Sequence, residues 1–94
     1  MPTSLGRAAT DAAPRYAKQL ASHFGRKIPA EETSDGGFRL TFQQTDVLLE
    51  PSPDHLLIRV TASDSSSLAA VRDVVAGHLE RFGRRNELTV VWEQ

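Results

Sequence analysis

Between Phe38 and Thr61 three apolar runs follow one another with almost no chain between them. Phe38, Leu40 and Phe42 alternate with Arg39, Thr41 and Gln43. Val47-Leu48-Leu49-Glu50 comes next, and Pro51-Ser52-Pro53-Asp54 then reads as a turn before His55 to Thr61, where Leu56, Ile58 and Val60 share one face. A parallel crossover needs a dozen or more residues, and neither link has them. These runs must therefore pair as an antiparallel meander. Asp35-Gly36-Gly37 is a hairpin signal just upstream, so residues 29–33 are expected to add a further strand.

Helical patterns lie on both sides of this run. Residues 10–25 place Ala13, Tyr16, Ala17, Leu20 and Phe24 at helical spacing, with Thr10 or Asp11 as cap, Pro14 in the first turn and Gly25 as a left-handed end residue. Residues 65–82 place Leu68, Val71, Val75, Leu79 and Phe82 on one stripe, with Ser63 or Asp64 as cap and Gly83 as the stop. Leu88, Val90 and Trp92 alternate in a closing strand. The opening residues read as a lead-in or a short edge strand, and they lack the apolar core of a secretory signal.

A helix with one apolar stripe must bury it on something. The expected fold is an α+β two-layer sandwich, an antiparallel sheet of five or six strands with two helices on one face, in the order (β)αββββαβ. This order resembles a ferredoxin-like plan with an extra hairpin. Residues 1–94 form a single domain, and 39% apolar residues suffice for one small core. Phe24, Phe82 and Trp92 are expected to be largely buried.

Eleven basic residues against twelve acidic give no charge excess to attract nucleic acid or an anionic membrane. The absence of cysteine removes disulfides and thiolate metal sites, and suits a cytoplasmic location. No P-loop, dinucleotide fingerprint, H-E-x-x-H or G-x-S-x-G occurs. Ser63-Asp64-Ser65-Ser66-Ser67 reads as a capping loop, and Glu31-Glu32 point to opposite faces of a strand. Arg81, Arg84 and Arg85 read as a solvated helix end with no aromatic platform among them. No catalytic set, cofactor site or metal site assembles from these residues.

"ASHFGRK" at 21–27 and "GHLERFGRR" at 77–85 echo one another. Glycines and basic residues suit two helix ends, so only His23 and His78 lack a structural role. Each falls about 60° to the same side of its stripe. On antiparallel helices an axial gap of about 10 Å would separate them, and on parallel helices one would face inward and the other outward. Neither arrangement is expected to build a joint site. A flank histidine bonded to a neighbouring carbonyl or carboxylate is the favoured reading, and His55 is expected to be solvated.

If the helices cover the face bearing Phe38, Leu40 and Phe42, the other face carries Arg39, Thr41, Gln43, Leu57, Arg59, Thr61, Thr89 and Val91, with Leu48 joining according to register. Aliphatic residues within a polar sheet face mark a candidate interaction surface, formed by Arg39, Thr41, Leu57, Arg59, Thr61 and Val91. Its partner is a protein or small ligand, or a second copy in a weak homodimer.

The stretches "TDAAPRYAKQLASHFGRK", "GGFRLTF" and "VVAGHLERFGRRNELTVVWE" resemble the bacterial family called domain of unknown function 2218. The resemblance covers nearly the whole chain and implies a small bacterial cytoplasmic protein. It supplies no activity. It implies, by association with siderophore-interacting flavin reductases, an accessory role in iron or siderophore metabolism as the alternative to a non-enzymatic interaction module. The family often shows a cysteine and a further histidine around the first helix end. Here Ala21 and Arg26 stand there, which weighs against a metal or redox role.

Overall fold

The computed structural model describes residues 2–34, 36–42 and 44–93. Asp35 of the hairpin signal and Gln43 of the expected open face lie outside the described residues. The elements run β1 (Thr3–Ala9), α1 (Ala13–Phe24), β2 (Ala30–Glu32), β3 (Phe38–Phe42), β4 (Thr45–Pro51), β5 (His55–Ala62), α2 (Ser65–Phe82), a short 3₁₀ turn (Arg84–Asn86) and β6 (Val90–Trp92). The six strands form one antiparallel sheet in the order β2-β3-β4-β5-β1-β6. The fold is the expected α+β sandwich, with the meander intact from β2 to β5.

The helices share one face of the sheet. α1 packs over β2 to β5, and α2 over β4, β5, β1 and β6. Between the layers lie Tyr16, Ala17 and Leu20 of α1, Val75 and Leu79 of α2, and Leu40, Val47, Leu49, Leu56, Ile58 and Val60 of the sheet, all buried. Their alternation along β3 to β5 is the period-two pattern of the sequence made physical. Asp64 caps α2 by accepting a hydrogen bond from the Ser67 N–H at 2.7 Å, and that bond holds its carboxyl below the usual carboxylate range.

β1 is not an edge strand. It pairs with β5 over Thr3↔Thr61 to Ala9↔His55 and with β6 over Gly6↔Trp92 to Ala8↔Val90. Its core-facing residues are Ser4, Gly6 and Ala8, all buried. Small side chains carry no apolar stripe, so this strand gives a weak hydrophobic signal. They have a packing role: a Cβ on Gly6 would come within 2.7 Å of the Trp92 ring. The ring lies over the strand at the one position with no side chain, and the Arg72 guanidinium covers it 4.7 Å from its centre.

Several helix-end expectations need correction. Gly25 has φ −62° and Gly83 φ −99°, so neither is left-handed. Their reason is close approach: a Cβ on Gly83 would meet the Leu88 side chain at 2.5 Å, and one on Gly25 the Ala21 carbonyl at 2.7 Å. The residue at the N-cap of α1 is Ala12, with no side-chain cap, and Thr10 Oγ1 instead accepts from the Ala12 N–H at 3.0 Å. Leu88 is buried but precedes β6. Phe24, Phe82 and Trp92 are half-buried, because each closes the rim of the core rather than its centre.

Trp92→Ala is therefore expected to cost about 2 kcal/mol, below the range for a fully buried tryptophan. Gly6→Ala should also destabilise, through its clash with that ring. In the double variant the two losses should fall short of their sum, as read by chemical denaturation.

Candidate functional site

Two surfaces concentrate the side chains singled out in the sequence: the seam between the helices, and the open face of the sheet.

The antiparallel pairing of β1 with β5 sends α1 and α2 back across the sheet in opposite directions. Accordingly, Arg15 and Tyr16 near the start of α1 share a cavity with Arg81 and Phe82 at the end of α2. His23 and His78 were expected to be kept apart by this arrangement. They are not: their ring centres lie 4.6 Å apart, with the planes inclined at 43°. The correction has a simple cause. Helical side chains lean toward their own N-terminus, so on antiparallel helices two residues near the C-termini lean toward each other and close the axial gap.

Phenylalanines surround the pair. Phe24 meets His23 and His78 edge-on, at 5.2 Å in each case. Phe82 lies 5.8 Å from His23, and Phe42 of β3 meets Phe24 at 5.4 Å. Beside the imidazoles opens a cavity of about 410 Å³, lined by His23, Phe24, Arg26, Lys27, Ile28, Phe42 and His78. His78 is held below the ordinary imidazole range, first by burial, then by His23 and Arg81. Among the described residues no group of three His, Cys, Asp or Glu side chains is placed to hold a metal ion.

At the other end of the seam, Arg81, Arg84 and Arg85 converge with Arg15 around Tyr16 and Phe82. Phe82 stands beside Arg81 in the chain, and Tyr16, which the local sequence lacks, comes from α1. The serines at 63 and 65–67 sit at the start of α2, where Asp64 does the capping. His55 is half-buried rather than solvated, and its Nδ1 lies 2.7 Å from Asp54 Oδ1.

The open face holds the expected set and adds to it. The pairings Arg39↔Leu48↔Arg59↔Leu5, Thr41↔Asp46↔Thr61↔Thr3 and Glu50↔Leu57↔Arg7↔Val91 place these residues in rows across it. Leu48 joins the face, and Val91 is 64% exposed. Leu5 also belongs to this face, a place that reading β1 as a lead-in or a short edge strand does not give, because Ser4 and Gly6 on either side of it form no apolar stripe. Ion pairs run within the face: Arg39–Asp46 at 3.1 Å, Arg7–Glu93 at 3.5 Å and Arg59–Glu50 at 3.7 Å.

The model of a family described as "Uncharacterized protein conserved in bacteria (DUF2218)" matches residues 5–93. Among solved structures, the chain is similar to the NMR structure of PA4090 from Pseudomonas aeruginosa. The identity is 32% and the TM-score 0.82, covering 99% of this chain and 96% of that one. No curated protein matches.

The depressed His78 sets a pH dependence. A group whose folded pKa lies below its unfolded value takes up its proton more readily when unfolded, so protonation favours unfolding. Stability is complete above about pH 6.5, the ordinary imidazole value, and is lost as pH falls toward the folded value. Denaturation midpoints measured from about pH 7.5 down to about pH 5.5 should decline, and His78→Gln should flatten that decline.

Proposed function

The chain belongs to the bacterial family DUF2218, and we propose that it serves there as a non-enzymatic binding module whose open sheet face docks weakly on a second copy of itself. The observation that carries this reading is the grouping of Leu5, Leu48 and Leu57 around Arg59. Leu5 and Leu48 flank Arg59 on the two neighbouring strands, and Leu57 lies two residues along β5. Diagonal neighbours on a sheet are about 7–8 Å apart, within reach of long side chains.

The charges favour a copy of the chain over a strongly charged partner. Arg7, Arg39 and Arg59 are each matched within the face by Glu93, Asp46 and Glu50. A face of balanced sign meets its own copy without net repulsion. Exposed ion pairs contribute little where they stand, so exchanging partners across an interface sacrifices little. A two-fold dimer of this kind presents the same patch from both sides.

The energetics set the strength. Burying each leucine contributes roughly 1.5–3 kcal/mol, and association costs at least about 4 kcal/mol before side-chain ordering is counted. The balance describes a monomer–dimer equilibrium, not an obligate dimer.

Sedimentation equilibrium of the wild type should show reversible self-association that Leu57→Arg abolishes while the circular dichroism spectrum stays unchanged. A wild type that remains monomeric at millimolar concentration would sink the reading. So would a Leu57→Arg variant that unfolds, since Leu57 would then belong to the core.

A further inference from the structure

The cleft beside His23 and His78 lies on the opposite side of the sheet from the face discussed above, and its lining has one chemical character. Arg26 and Lys27 bring two positive charges, His23 and His78 bring imidazole N–H donors, and Phe24, Ile28 and Phe42 bring apolar wall. No carboxylate is among the described residues that line it. The volume, about 410 Å³, falls in the ordinary range of small-ligand sites. We propose that this cleft binds a small aromatic carboxylate, its ring against Phe24 and Phe42 and its charge toward Arg26, Lys27 and the two imidazoles.

Each part of such a ligand meets its complement. Aromatic rings prefer edge-to-face or offset contact, and Phe24 and Phe42 already stand edge-on to one another at 69°. A carboxylate accepts several hydrogen bonds at once, and guanidinium, ammonium and imidazole groups only need to donate. A metal cation meets the reverse situation. Two imidazoles would draw it, but Arg26 and Lys27 would repel it, and no third ligand of the usual kind is grouped with them among the described residues.

Binding should be coupled to protonation. The charges acting on His78 are those of His23 from α1 and Arg81 from α2 itself, and it shares the cleft with Arg26 and Lys27 from the segment after α1 and with uncharged Phe24, Ile28 and Phe42. Every charged neighbour is positive or can become so, so the unliganded site resists a proton on His78. A bound carboxylate removes that resistance and raises the imidazole pKa. Affinity therefore increases as pH falls through the bound-state value and levels off below the free-state one.

The test is an NMR titration of the labelled full chain with sodium 2-naphthoate, and in parallel with the uncharged 2-naphthamide. Saturable movement of both imidazole signals and of the Ile28 and Phe42 amides is expected with the carboxylate, with tighter binding at lower pH and much weaker binding of the amide. Arg26 and Lys27 are exposed, so the double variant Arg26→Gln, Lys27→Gln should keep the wild-type spectrum and weaken naphthoate binding about tenfold or more. The proposal is overturned if naphthoate moves no signal of the cleft at ~10 mM, if the amide binds as tightly, or if the double variant binds as before. It is also overturned if zinc, rather than naphthoate, shifts both imidazoles saturably at micromolar concentration. Shifts confined to Leu5, Leu48 and Leu57 would overturn it too, while leaving the sheet-face reading standing.

Discussion

The pairing of β1 with β5, from Thr3↔Thr61 to Ala9↔His55, is the constraint on which the rest of the structure depends. It inserts the first strand into the interior of the sheet, so that β6 has an edge to join. Because the pairing is antiparallel, the helices that follow β1 and β5 return in opposite directions on the same face. That orientation in turn makes the histidines lean together, although they lie on helices more than fifty residues apart in the chain. A single strand register thus fixes the layer arrangement, the helix seam and the composition of the open face.

Small residues do as much here as large ones. Gly6 makes room for the Trp92 ring between buried Ser4 and Ala8, and Gly83 makes room for Leu88. These contacts are steric requirements for a missing side chain, not requirements for an unusual backbone angle. A glycine after an apolar stripe invites a left-handed reading. At Gly83 crowding by Leu88 from beyond the helix explains the glycine instead, at Gly25 the Ala21 carbonyl of the same helix does, and the dihedral angles remain ordinary.

The molecule also separates two kinds of surface on its two layers. The sheet face is balanced, its arginines matched in place by carboxylates. The helix seam gathers positive charge, with Arg26 and Lys27 at one end and Arg15, Arg81, Arg84 and Arg85 at the other. A near-neutral whole-chain charge conceals this division, because the sum averages over faces that point in opposite directions.

What the sequence determined by itself was local and periodic. Alternation at Phe38–Phe42 and from His55 to Thr61 specified half-buried strands, short links forced their antiparallel order, and two 3.6-residue stripes specified helices that had to share a face. The residues of the open face followed from that phase: Arg39, Leu57, Arg59 and Val91 stand where alternation places them. Only the tertiary structure decided the place of β1, whose small core-facing residues carry no stripe to read, and with it the role of Leu5. Only the tertiary structure brought His23 to His78, since the meeting depends on helix direction and on the lean of each side chain, neither of which has a period in the sequence. Phe42 and Arg15 reach their clefts for the same reason: contacts between distant segments are set by packing in three dimensions, and a pattern along one dimension does not encode them.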